Sequence, residues 1–160
     1  MMKVKGEFFI LRDGKVIRRT GNHMLMNGAR LIQSYLQNTM IADGYGGANL
    51  RPDYIHYGHG DKELDHLDWH LEDFTGSLQI SVVGRTTWIA DNIVEFEVDL
   101  PAAGDMYISE AALACGAGDP ANAVDYANTV LDRGIYIPTH IKPDGLATDT
   151  IRCRLTITLT

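Results

Sequence analysis

The chain's last residues, Thr150-Ile151-Arg152-Cys153-Arg154-Leu155-Thr156-Ile157-Thr158-Leu159-Thr160, alternate between apolar and polar side chains along nearly their whole length. A period of two puts one set of side chains on one side of an extended strand and the other set on the opposite side. Asn92-Ile93-Val94-Glu95-Phe96-Glu97-Val98-Asp99-Leu100 repeats the pattern. Segments of this kind bury their apolar side by pairing into an antiparallel sheet with one face covered and the other wet. These two stretches commit the chain to β-structure.

The remaining elements agree. Glu7-Phe8-Phe9-Ile10-Leu11-Arg12 and Lys15-Val16-Ile17-Arg18-Arg19 flank Asp13-Gly14, which predicts a hairpin with a type I′ turn. From about Asn27, apolar residues Leu31, Ile32, Tyr35, Leu36 and Met40 follow helical spacing, which predicts one helix near the N-terminus. That helix is expected to end before the Gly-rich loop at 43–49. Further strands are expected at Tyr54–Tyr57, Gln79–Val83, Thr86–Ala90 and Met106–Leu113. Weaker strand patterns cover Tyr126–Arg133 and Ile135–Ile137, broken at Gly134 and Pro138. Short strands at roughly ten-residue spacing, not alternating with helices, predict an antiparallel β-sandwich with jelly-roll or Greek-key connections. No linker composition divides residues 1–160, so a single domain is expected, with residues 1–5 a candidate N-terminal arm.

Charge narrows the function classes. A formal net charge of -7 argues against nucleic-acid binding, and Lys15, Arg18 and Arg19 form too short a basic cluster to change that. Neither a signal peptide nor a membrane span is expected. Cys115 and Cys153 are widely spaced without metal-type partners, and two reduced thiols are expected.

The densest chemistry lies after Tyr54. His56, His59 and Asp61 sit close together, and Asp65, His66, Asp68, His70 and Asp73 follow. His56, His59, Asp61, His66 and His70 are the candidate metal ligands, since imidazole and carboxylate suit zinc and related ions. Leu64, Leu67, Trp69 and Leu71 interleave with them, so the polar residues also read as the wet side of a packed segment. The H-E-x-x-H and calcium-loop patterns are absent, and neither a metal nor a cofactor is expected. Catalysis finds no motif. No serine sits in a G-x-S-x-G elbow, and Gly44-Tyr45-Gly46-Gly47 is not followed by a Lys or a helix start. Glu95 and Glu97 share one side of a strand, as a solvated face would. No enzyme is expected.

Several short motifs recur in order. Gly21-Asn22-His23-Met24-Leu25-Met26-Asn27-Gly28-Ala29 leads into the predicted helix, and Tyr54-Ile55-His56-Tyr57-Gly58-His59-Gly60 gives Y-I-x-[VY]-G-x-G. Ile108-Ser109-Glu110-Ala111-Ala112-Leu113 gives I-x-E-x-x-L, followed by Leu131-Asp132-Arg133, Ile141-Lys142 and the final alternating strand. In this order the chain resembles a group of small tailed-bacteriophage virion proteins of the head or tail. His56 and His59, and the acidic, His-rich stretch Leu64–Phe74, depart from that pattern. Gly58 and Gly60 are expected to permit positive φ or a close backbone approach, and Glu110 to bond Arg133 across neighbouring strands.

The resemblance implies a structural virion protein, made in the host cytoplasm, that works by binding its neighbours. A capsid decoration or cement protein is the leading expectation, with the major capsid protein or tail proteins as partners. By analogy with three-fold capsid sites it implies a homotrimer. A tail or baseplate accessory is the alternative within that class. A carbohydrate or host-surface binding module is the alternative outside it, with Trp69, Trp88, Tyr45, Tyr54 and Tyr57 as candidate stacking faces.

Overall fold

The structure is a computed structural model, and it describes residues 2–25, 28–29, 52–65, 70–100, 106–117, 132–141 and 148–159. At Met2, Met106, Leu159 and in 132–141, Gly134 apart, the backbone alone is described. The elements are β1 (Met2–Arg12), β2 (Lys15–Met24), β3 (Tyr54–Gly58), β4 (Phe74–Gln79), α1 (Ile80–Val83), β5 (Gly84–Ala90), β6 (Ile93–Asp99), β7 (Met106–Ala114), β8 (Asp132–Ile141) and β9 (Asp149–Leu159).

Every described pairing is antiparallel, in the order β4-β3-β7-β8-β2-β1-β9-β6-β5. The five strands β2-β1-β9-β6-β5 form one layer, and β7, β3 and β4 form the second. Strand β8 joins them, pairing along β7 and, through Asn22↔Gly134 to Met24↔Asp132, with the end of β2. Both layers contribute to one core, so the arrangement is sandwich-like: Phe8, Ile10, Phe96, Val98, Ile151 and Cys153 meet Ile55, Tyr57, Ile108 and Leu113. The alternation in β6 and β9 is what aims these residues inward. Ile151 and Cys153 are buried while Arg152 and Arg154 take the other face.

The first hairpin turns on Asp13 and Gly14 at φ 50 and 76, the left-handed pair a type I′ turn requires. It is tied to the start of β9: Thr148 N–H donates to Asp13 Oδ1, and Arg12 holds the buried Asp149 carboxylate through Nε (2.9 Å) and Nη2 (3.1 Å). Met2–Lys5, the candidate arm, are part of β1 and pair with Thr156–Leu159, so the sheet has already used them.

Three expectations change. Gln79–Val83 is not one strand: β4 ends at Gln79 and Ile80–Val83 make a single helical turn. Asp53 turns the chain there, accepting from Ser81 N–H (3.1 Å), Ser81 Oγ (3.0 Å) and Gln79 Nε2 (2.8 Å). The chain does not break at Gly134 or Pro138, since β8 runs through both. A Cβ at Gly134 would lie 2.9 Å from Phe8 Cδ2, so glycine lets β8 close on the core. Pro138 falls where the β7–β8 register shifts between Ile108 and Glu110, where no ladder bond is asked of it. The helix expected from Asn27 lies outside the described residues, except that Gly28 and Ala29 are helical. The described helix is instead α1.

Candidate functional site

The register shift in β7 decides where Glu110 points. Ile108, Ala111 and Leu113 all face the core, while Ser109 and Glu110 reach the loop that follows β3. A bulge is the usual device for re-aiming a side chain in this way. Glu110 is fully buried, and its carboxylate accepts from three backbone amides of that loop. Gly60 N–H (3.0 Å) and Asp73 N–H (2.8 Å) donate to Oε1, and Glu72 N–H (3.1 Å) donates to Oε2. Ser109 Oγ donates to Gly60 O at 2.9 Å. Charge-assisted bonds to a buried carboxylate are the strong ones, so Glu110 is the clasp of segment 59–73.

Glycine is required on the other side of the clasp. A Cβ on Gly60 would stand 2.5 Å from Glu110 Oε1 and 2.6 Å from Glu72 Cβ. On Gly58 it would stand 2.2 Å from Asp73 O. Among the described glycines only Gly14 has positive φ, so close approach, not backbone handedness, is the reason for Gly58 and Gly60. The loop adds its own ties: Glu72 Oε2 accepts from Asp61 N–H (2.9 Å) and Lys62 N–H (2.6 Å), and His59 N–H donates to Asp73 O (3.0 Å). Leu71 packs with Leu25, Ala112 and Ala114 on the outside of the second layer, with Tyr54 and Phe74 against them. The side chain of Arg133, the partner expected for Glu110, lies outside the described residues, and its backbone pairs with His23.

The candidate metal ligands do not converge. His56 is fully buried, its Nε2 2.6 Å from Gly116 O and its ring edge-on to Phe74 at 5.1 Å. His59 places Nδ1 3.0 Å from Thr75 Oγ1 and 3.8 Å from Asp73 Oδ2. His70 Nδ1 sits 2.5 Å from Leu71 O, and Asp61 is exposed. His66 lies outside the described residues. Among the described residues no three His, Cys, Asp or Glu side chains come together as a metal site would require. An open cleft of about 420 Å³ lies beside this segment, lined by His23, Lys62, Glu63, Leu64 and Asp65. Its charges are mixed, so it selects neither an anion nor a cation.

Glu95 and Glu97, expected on a solvated face, are buried under arginines from neighbouring strands. Arg154 Nη2 lies 2.7 Å from Glu95, Arg152 Nε bridges Glu95 (3.0 Å) and Glu97 (2.5 Å), and Arg85 pairs with Glu97. The row continues across β1, where Arg19 pairs with Glu7, and Arg19 and Arg154 stack over Phe9 at 5.6 and 5.2 Å. It is a lattice that ties β2, β1, β9, β6 and β5 together.

Burial raises the Glu7 carboxyl, but the Arg19 hydrogen bond and the charges of Arg19 and Lys5 outweigh it and hold the group below its ordinary 4.5. A carboxyl depressed in the fold contributes stability that is present above its unfolded value and lost as pH falls through the folded one. Stability is therefore expected to drop on acidification below about pH 4.5, and Glu7→Gln to flatten part of that drop. Urea midpoints of the two proteins across the acid range check this; parallel curves would count against it. Neither cysteine is in a disulfide: Cys153 is in the core, and burial pushes the Cys115 thiol up to about 12. Alkylation of folded Cys115 near pH 8 is expected to be slower than that of free cysteine by more than about a hundred-fold, and normal in urea.

Among the described residues no helix is long and apolar enough to cross a membrane. No protein-family model, curated protein or solved structure matches this chain.

Proposed function

We propose that the chain is a structural component of a tailed-bacteriophage particle, a capsid decoration or cement protein that acts by binding neighbouring subunits. The observation that carries this reading is the clasp. The two most distinctive segments of the resemblance, Tyr54–Gly60 and Ile108–Leu113, are adjacent strands whose Gly60 and Glu110 lock together. Residues that meet in one structural device give the two motifs a shared structural reason. The nested pairings β1–β9, β2–β8 and β3–β7 support jelly-roll-like connections within the sandwich. The partner is the major capsid protein, with tail or baseplate proteins as the alternative within the same class. The homotrimer expected by analogy has no contact that can be named among the described residues.

Assembly tests the reading. Particles made without this chain are expected to carry empty sites and to release their contents at lower temperature. Intact, equally stable particles would remove the cement role.

A second reading, a glycan-binding module, draws support from Trp88, whose ring is exposed. Of the other candidate stacking faces, Tyr57 is buried, Tyr54 packs against the outer cluster, and Tyr45 and Trp69 lie outside the described residues. Titration of a glycan panel against Trp88→Ala separates the two readings.

A further inference from the structure

Four large apolar side chains left in solvent lie close together in sequence: Val82 (71 % exposed), Val83 (44 %), Trp88 (74 %) and Ile89 (51 %). They belong to α1 and β5, and β5 ends the strand order, paired with β6 on one side only. Trp88 stands opposite Val94, a residue packed against the core, so it extends the apolar face of the sheet past its edge.

Soluble proteins usually block such an edge with Pro, Lys or an inward charge. Arg85-Thr86-Thr87-Trp88-Ile89 has no Pro or Lys, and its β-branched and aromatic residues favour an extended strand. Its one irregularity, the register shift between Trp88 and Ala90, leaves Gly84 to Trp88 in regular register with β6. The opposite edge is treated differently. Most of β4 is half-buried, and Ser77 Oγ donates to Ala117 O at 2.6 Å, which brings another segment over it.

We infer that β5 is a self-association edge, and that β5 of a second copy pairs with it antiparallel about a two-fold axis near Trp88. Charge selects this occupant. Arg85 lies near the start of β5 and the exposed Asp91 just past its end. Antiparallel pairing sets each Arg85 beside Asp91 of the second copy and keeps like charges apart, whereas parallel pairing would align them. Arg85 is half-exposed even while it bridges Glu97 and Asp99, and a guanidinium has five donors to share. The two Trp88 rings then form a cross-strand pair on the axis. Pairing over 85–91 covers one strand edge with the Trp and the Ile of each copy, an area below the ~800 Å² of a standard interface. A dimer with a Kd of about 1–100 µM is expected. The inference holds whether or not the chain is a virion component.

Sedimentation equilibrium of the full chain tests it, with Trp88→Ala, Ile89→Lys and Asp91→Arg as variants. The wild-type mass is expected to rise with concentration from one chain of 17.7 kDa to two. Trp88→Ala and Ile89→Lys should each weaken the dimer by about ten-fold or more, and Asp91→Arg by several-fold, since each end then brings two arginines together. All three positions are exposed, so unchanged thermal midpoints will show that folding is intact. A wild-type chain that stays single up to about 1 mM overturns the inference. So does a three-chain assembly, or a dimer that Ile89→Lys leaves as tight. A dimer indifferent to Asp91→Arg overturns the antiparallel alignment.

Discussion

Replacing Glu110 by alanine is expected to lower the stability of the fold by about 3–5 kcal/mol, measured as a shift in urea midpoint at constant slope. The substitution removes the acceptor for the amides of Gly60, Glu72 and Asp73 at once. A buried donor left without its partner costs about 1–3 kcal/mol. The Gly60 bond is buried and the other two are part-buried, so water takes up some of the loss, which sets the estimate toward the low end of the sum. The damage should begin locally. Segment 59–73 is expected to become the first site of proteolytic cleavage, while β1, β9 and β6 keep their amide-exchange protection. Glu110→Gln retains one acceptor oxygen but turns an NH₂ toward one of the three amides, so it should cost less than alanine and more than nothing. An alanine variant as stable as the wild type would show that the clasp is ornamental.

The alternation of β6 and β9 and the Asp13-Gly14 turn were legible because each is settled within a few residues. So was the need for glycine at 58 and 60, although the sequence left two reasons open and the geometry selects close approach. What was not legible depends on partners far away in the chain. Ile80-Ser81-Val82-Val83 has strand composition, yet it turns because Asp53, 28 residues before Ser81, holds its amide. Glu95 and Glu97 read as a wet face because two of their three arginines, Arg152 and Arg154, come from β9, beyond the loop after β6 and two further strands. Pro138 reads as a break unless the register shift that excuses it is known. Glu110 carries a local signal. In Ile108-Ser109-Glu110-Ala111 the strict alternation fails by one residue, and such a slip in a strand marks a bulge. Three partners of Glu110 among the described residues are backbone amides, which carry no signature in sequence, while the side chain of Arg133 lies outside those residues.

Alanine at Gly58 and at Gly60 should each cost about 2–4 kcal/mol, but for different reasons that a double-mutant cycle separates. At Gly58 the new methyl meets the Asp73 carbonyl oxygen at 2.2 Å, and that oxygen also accepts the His59 amide. Backbone cannot step aside without taking the Asp73–Glu110 bond with it, so most of the cost should persist whatever stands at 110, with only the 2.9 Å contact to Glu110 Oε1 relieved by its removal. At Gly60 the nearest obstacle is Glu110 Oε1 itself, at 2.5 Å. Removing that carboxylate relieves the nearest contact and leaves Glu72 Cβ, at 2.6 Å, as the remaining one. Gly60→Ala made on the Glu110→Ala background should therefore cost about 1–2 kcal/mol less than on the wild type. Gly58→Ala, whose main obstacle is the Asp73 carbonyl and whose contact with Glu110 Oε1 is the looser 2.9 Å, should couple to Glu110→Ala more weakly. Urea denaturation of the five single and double variants against wild type measures both cycles. Equal coupling in the two cycles would mean that both glycines serve the carboxylate alone. No coupling in either would mean that the loop is held by its apolar contacts, Leu71 on Ala112 and Ala114, and that Glu110 merely follows.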